Sequence, residues 1–350
     1  MKALFTTFVV CLFATALTGQ QPKVADTQFR VEPMAQNLVA TVDRVRHSSD
    51  QVWLGYEIAA LAGHHMSTCS DWHNDSDSDD GCCGEYRLED EFNNTHRNSN
   101  SQVTQNLYVL FRFEKGEILK VGMVGAGCHL NAGGVNFAWL EGVKPEESIA
   151  YLEGLVNHNG DTHRVMEGAL LAISMHAAPE ATKALEQIAM SSESDHVREQ
   201  AAFWLGVQRG HEGFVALKSM EEKGDAHFRE KLAFDFSQNS DPAAEDELIH
   251  MAKFDEDGKV RSQALFWIAQ KAGKRATAAL NDAIQNDPET EVKKKAVFAL
   301  SQLPKEEGVP QLIHVADTNT NPEVRKQAFF WLGQSGDPRA LDYLAQVLKK

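Results

Sequence analysis

The chain has 350 residues, enough for two ordinary domains, and is 43% hydrophobic and 24% charged, the composition of a soluble globular protein. Its formal net charge of −16 excludes a general nucleic-acid binder, which needs a positive footprint for phosphate, and disfavours docking on anionic lipid.

The first 20 residues read as a secretory signal rather than as fold. Met1-Lys2 is a minimal basic start, Ala3 to Leu17 is apolar apart from Thr residues, and Ala14, Ala16 and Gly19 offer small residues for cleavage. The run is shorter than the about 20 apolar residues of a spanning helix. Val10 before Cys11 argues against a lipoprotein, and no other segment is apolar enough to span a bilayer. The expectation is a periplasmic or secreted protein with no membrane insertion after cleavage. Cys11 leaves with the signal. Cys69, Cys82, Cys83 and Cys128 remain, an even number in an oxidising compartment, which points to two disulfides. Adjacent Cys82 and Cys83 can pair together only through a strained ring. One is therefore expected to join Cys69 and the other Cys128, in an order left open.

Residues 21–145 are expected to form a β-rich domain with one or two helices. Gln51–Ile58 reads as a strand. Asn106–Phe113 and Glu117–Val124 flank Glu114-Lys115-Gly116, a hairpin signal. Asn136–Leu140 adds a short strand, and Asn131-Ala-Gly-Gly134 reads as a tight turn. Between them, 66–105 is polar and reads as a long loop. The glycines Gly122, Gly125 and Gly127 run in the reverse order of a dinucleotide fingerprint and suit turns and close packing instead. His65, Cys69 and His73 are spaced by four and are candidate metal ligands beside His64, although Ser67, Thr68, Ser70 and Asp71 disfavour a helix there. Asp75, Asp77 and Asp79 suggest a calcium loop, but the glycine comes one place late, at Gly81, and Tyr86 stands where a bidentate Glu is needed. No nucleophile elbow, phosphate loop or zinc-protease motif is present.

From residue 146 onward the chain repeats. The segment from Val324, V-R-K-Q-A-F-F-W-L-G-Q, has relatives that begin at Val165, Val197, Phe228, Val260 and Val292, in steps of 32, 31, 32, 32 and 32 residues. A second anchor, Leu185, Leu217, Leu248, Leu280, Leu312 and Leu344, keeps the same steps. With the first anchor as position zero, positions four and eight are apolar in every unit, which places three layers on one helix face. Pro179, Pro242, Pro288, Pro304, Pro322 and Pro338 mark the joints. Shorter amphipathic helices such as 180–190, 274–285 and 338–348 complete each unit.

These units resemble HEAT repeats, and the short period is similar to the variety of phycobilisome-lyase-like proteins. The resemblance covers about 146–350, six to seven helix pairs. It implies an all-α, right-handed α-α superhelix, with the V-R helices lining a concave side that commonly holds a protein partner. The stretch from Cys128 to Ser148, C-H-L-N-A-G-G-V-N-F-A-W-L-E-G-V-K-P-E-E-S, is similar to a segment of secreted bacterial HEAT-repeat proteins of undefined role. One enzyme built on similar repeats, deoxyhypusine hydroxylase, holds iron through recurring His-Glu pairs; here only His211-Glu212 fits, so that activity is not expected. Bilin lyase activity is implied only by the name of the repeat type.

Two columns carry the functional expectation. Position six holds Leu171, Phe203, Phe234, Phe266, Phe298 and Phe330, and position seven includes Trp204, Asp235, Trp267 and Trp331. The Phe column is expected to pack between neighbouring repeats, with an exposed aromatic strip as the alternative. Position one holds Arg198, Arg229, Arg261, Lys293 and Arg325, expected to pair with the loop acids Asp195, Asp225, Asp257, Asp287 and Asp317. The reading is an exported, non-catalytic scaffold without a cofactor that binds a protein partner. Its surface would include Gln263, Phe266, Gln270, Gln327, Phe330 and Gln334. The alternative is an enzyme or metal-binding protein with a site around Cys69–Cys83 and His129.

Overall fold

A computed structural model describes residues 21–62, 85–90, 106–126, 128–157, 163–271 and 273–349. The signal segment, the candidate ligands His64, His65, Cys69 and His73, the acidic run from Asp75, and Cys82 and Cys83 lie outside the described residues. The rest divides into two compact units: one runs through Lys144 except 60–62 and 119–122, and the other holds those two stretches and everything from Pro145.

Among the described residues the first unit carries strands β1 (Val24–Ala25), β2 (Phe29–Glu32), β3 (Gln51–Ala59), β4 (Glu85–Arg87), β5 (Asn106–Glu114), both ends of β6 (Glu117–Gly125), β7 (His129–Asn131) and β8 (Asn136–Leu140), with one helix, α1 (Leu38–Arg46). A five-stranded sheet has the order β2-β8-β3-β5-β6, and β1-β7-β4 forms a second, all-parallel sheet. β3 is central, antiparallel to β5 and parallel to β8, so both its neighbours are covered. That position explains its nearly unbroken buried run from Val52 to Tyr56. Gly55 is required there, because a Cβ would sit 2.7 Å from Leu110 Cδ2. The β5–β6 turn places Lys115 at φ 51° and Gly116 at φ 81°, the left-handed pair of a tight hairpin. Trp53, Tyr108, Phe137 and Trp139 fill the core with Cys128 and Leu130. The polar stretch 66–105 is not all loop: β4 lies within it and pairs with β7.

From Pro145 onward, the named elements of the second unit among the described residues are helices. After α2 (Pro145–Asn157) come six helix pairs: α3 (His163–Met175) with α4 (Glu180–Ser191), α5 (Asp195–Gln208) with α6 (Gly210–Lys223), and α7 (Ala226–Gln238) with α8 (Ala243–Phe254). They continue with α9 (Gly258–Lys271) and α10 (Gly273–Asn286), α11 (Thr290–Gln302) and α12 (Lys305–Thr318), and α13 (Pro322–Gln334) and α14 (Pro338–Val347). Each first helix packs on its own second helix and on the first helix of the next pair, the arrangement of a repeat solenoid. Positions four and eight are buried in every pair, from Ala169 and Ile173 to Ala328 and Leu332. Asp225, Asn321 and Asp337 cap α7, α13 and α14 by accepting backbone N–H bonds.

Another column, sixteen residues past the first anchor, holds Ala181, Gly213, Ala244, Ala276, Gly308 and Ala340. At this column the second helix lies close against the backbone of the first. A Cβ on Gly213 would lie 2.0 Å from the Leu205 carbonyl oxygen, and one on Gly308 would lie 2.4 Å from that of Leu300.

Candidate functional site

The aromatic columns form one continuous chain of rings along the first helices. Phe203 stacks on Phe234 at 5.9 Å between centroids, Phe234 meets Trp267 at a tilt of 44° and 4.6 Å, and Trp267 meets Phe266 edge-on at 5.0 Å. Phe266 stacks on Phe298 at 6.3 Å, Phe298 meets Trp331 at a tilt of 42° and 5.0 Å, and Trp331 meets Phe330 edge-on at 4.9 Å. The rings touch across successive repeats, which makes them packing; most are also half-buried, which leaves an edge to solvent. Phe330 alone in this column is largely exposed, at 53%. The indole Nε1 atoms of Trp267 and Trp331 are buried with no hydrogen-bond partner among the described residues.

A groove of about 480 Å³ opens between α7, α9 and α11. Phe266, Phe298 and Val292 give it apolar walls, Gln263 a polar one, and Glu230, Lys259, Glu291 and Lys295 a rim of both signs. Two of the sequence candidates, Gln263 and Phe266, thus meet in one concavity. Gln334 lines a second groove of about 250 Å³ with Trp331, Ser301 and Lys305. Gln270, Gln327 and Phe330 line neither groove.

Asp235 occupies position seven where three other repeats carry Trp. It is 3% exposed, and burial, then the charge of Glu199, raise its carboxyl well above the usual carboxylate range. Glu199 in turn pairs with His227 at 3.3 Å and Lys231 at 3.6 Å. On the second helices, Glu221 is pushed up to about 8 by burial and then by the facing Glu247. Glu247 is held by Lys218 and lies 3.3 Å from His250.

The position-one cations pair differently from the expectation. Arg261 forms a bidentate pair with Asp287 at 2.7 and 3.1 Å, as the spacing suggested. Arg229 instead takes Asp255, at 2.8 and 3.0 Å. Asp225 and Asp257 are helix caps, accepting from Phe228 and Lys259 backbone N–H groups. The acid that matters is therefore the residue closing the second helix, in the series Asp255, Asp287, Asn319. Where that residue is the neutral Asn319, the position-one partner is Lys293, which bonds the Gln285 carbonyl instead. Arg198 has no such acid and meets Asp195 of its own helix at 3.2 Å, while Arg325 donates to the Asn319 carbonyl. These cations are joints of the array.

A further buried group was not legible in sequence. Ser148 Oγ lies 3.0 Å from His176 Nε2, and both residues are at most 1% exposed. His176 is pushed down to about 4 by burial and then by the Arg209 charge. Arg209 donates to the carbonyls of Ser174, His176 and Ala178 and to Thr182 Oγ1. A serine and imidazole so enclosed serve cohesion, because no substrate reaches them. His211 and Glu212 also do structural work: His211 pairs with Asp241 at 2.5 Å, and Glu212 accepts from Thr182 at 2.7 Å.

In the first unit, Glu89 accepts from Trp53 Nε1 at 2.6 Å and from Arg112 Nε at 2.8 Å, a network sealed by the 7% exposure of Arg112. Cys128 is buried. His129 is exposed on β7, and the cysteines proposed to surround it lie outside the described residues.

Residues 245–318 and 277–350 match the family model for HEAT repeats. No curated protein matches the chain. Human deoxyhypusine hydroxylase in complex with glycerol is 16% identical over 58% of this chain and 90% of its own, with a TM-score of 0.29. The complex of CpcE and CpcF of phycocyanin lyase from Nostoc sp. PCC7120 is 20% identical over 58% and 81%, with a TM-score of 0.30. Kap121p bound to Pho4p is 12% identical over 58% of this chain and 27% of its own, with a TM-score of 0.36. The six helix pairs and the family match over their C-terminal part make the second unit an array of HEAT repeats.

Proposed function

We propose that this protein is an exported, non-catalytic scaffold whose HEAT-repeat array binds another protein along its first-helix face. The observation that carries this reading is the groove of about 480 Å³ between α7, α9 and α11. Its Phe266 and Phe298 walls present ring edges to an apolar side chain, and Gln263 offers both a donor and an acceptor to a peptide backbone. The mixed rim of Glu230, Lys259, Glu291 and Lys295 suits a segment carrying charges of both signs. An extended peptide fits these demands better than a small metabolite, because the groove is open and continues as a ladder of rings. The export reading rests on the signal at 1–20, and it takes Cys69, Cys82, Cys83 and Cys128 as a two-bridge framework.

A photo-crosslinking residue at Gln263, with a control at exposed Lys274 on α10, tests the surface. The expected result is a crosslinked protein at the first position alone, lost on Phe266→Ala with the fold retained. Equal crosslinking at both positions, or none at Gln263, would remove the groove from the reading. Non-reducing peptide mapping of exported protein checks the framework: two bridges and no free thiol are expected, and four free thiols would overturn it.

A further inference from the structure

We infer that His163, Glu167 and His196 form a surface site for a divalent transition metal of the zinc class. Their ligand atoms, two imidazole nitrogens and a carboxylate oxygen, all lie within 4.8 Å of one another. His163 Nδ1 is already 3.1 Å from Glu167 Oε2, and the two imidazole rings lie 4.8 Å apart at 18°. Ligand atoms of one tetrahedral zinc stand closer together than that upper limit. Closing the difference requires the stacked imidazoles to turn so that their nitrogens converge, and the three side chains are exposed and have room to do so.

The scaffold suits the task. His163 and Glu167 are one turn apart on α3, spaced i to i+4, so they share a face. His196 sits in the first turn of α5, and α3 packs directly on α5. Two ligands thus come from one rigid element and the third from its packed neighbour. Two imidazoles and one carboxylate match the preferences of zinc, nickel or cobalt, and solvent completes the coordination.

The adjacent repeat shows what distinguishes this cluster. Glu199 and His227 stand one repeat after Glu167 and His196, at the same positions. There the carboxylate also meets Lys231 at 3.6 Å, so a fixed cation neutralises it. At the first junction the equivalent of Lys231 is the neutral Gln200, and α3 contributes His163 instead. A lysine charge has been exchanged for a second metal-binding nitrogen. Another grouping of this kind among the described residues, Glu221, Glu247 and His250, keeps its lysine, Lys218, on Glu247, and for that reason we do not assign it a metal.

The test is a calorimetric zinc titration of the full chain, beside H163A, H196A, the H163A/H196A double variant and E167Q. The residues are exposed, so circular dichroism is expected to be unchanged in all variants. The double variant should bind one zinc equivalent fewer than the unaltered chain, and each single variant should weaken that same equivalent. The comparison by difference removes any zinc held elsewhere, including by cysteine. Identical isotherms for the unaltered chain and the double variant would overturn the site, as would a loss produced by the alanine variants but not by E167Q. Crosslinking at Gln263 reads an independent surface, so this result and the groove reading fail separately.

Discussion

The sheet unit and the helical array hold themselves together over different distances along the chain. In the sheet, β2 pairs with β8, Phe29 against Phe137, and β3 pairs with both β5 and β8. The strand β8 thus pairs with a segment more than a hundred residues earlier in the chain. In the array, the ties between helices are near neighbours: Arg229 to Asp255 and Arg261 to Asp287 span 26 residues, and Asn239 to the Gly206 carbonyl spans 33. The difference teaches that damage should stay local in the array and spread through the sheet, because each repeat contacts only its neighbours.

The largest effect comes from removing whole elements. Deleting 260–291 excises one full period and should leave a folded, shorter array, read by circular dichroism and size exclusion. Deleting 136–140 removes β8 from between β2 and β3 and should unfold the sheet unit. If the first deletion unfolds the helical unit while an out-of-period deletion of similar size does not, the contrast fails.

Next in size is a single joint. Arg261→Ala leaves Asp287 buried at 8% exposure without its bidentate partner, at a cost of about 3–5 kcal/mol. Hydrogen exchange should quicken in α9 to α12 and not in α3 to α6. Lys293→Ala, at the joint where Asn319 replaces the acid, should stay within about 0.5 kcal/mol.

A pH titration sharpens the same point at the start of the array. His176 titrates at about 4 in the folded protein, against roughly 6.5 unfolded. Between these values the unfolded chain binds more protons, so stability rises with pH. About 3 kcal/mol should be lost as pH falls from roughly 6.5 to 4. His176→Asn should flatten that window in a series of denaturant melts, and an unchanged profile would show that His176 is not the group responsible. Asp235 has the opposite sign: its raised carboxyl costs stability as pH rises above the unfolded carboxylate range.

The smallest effect concerns the ring ladder. Phe266 is half-buried, so Phe266→Ala should cost about 2 kcal/mol, below the roughly 3–5 kcal/mol of a fully enclosed phenylalanine. A loss at the upper figure in thermal melts would make the ladder pure core and weaken its claim as a binding face.

Sequence alone was enough to establish the period, the apolar layers and the two helices of each repeat, because helix contacts recur at fixed spacing and leave a periodic trace. It also established β3, β5, β6 and β8, whose apolar runs and Lys115-Gly116 turn are local signals. It was silent on β1, β2, β4 and β7, which are two to four residues long and exist only because distant partners supply their hydrogen bonds. Only tertiary structure decided that Arg229 takes Asp255 while Asp257 caps a helix, since both acids lie within reach along the chain and differ only in direction. It likewise decided that the aromatic column is a ladder with one open edge, that Gln263 and Phe266 share a groove, and that His163, Glu167 and His196 converge. Each of these depends on which side chains of separate helices face each other, and that is set by how the helices pack rather than by the order of residues within any one of them.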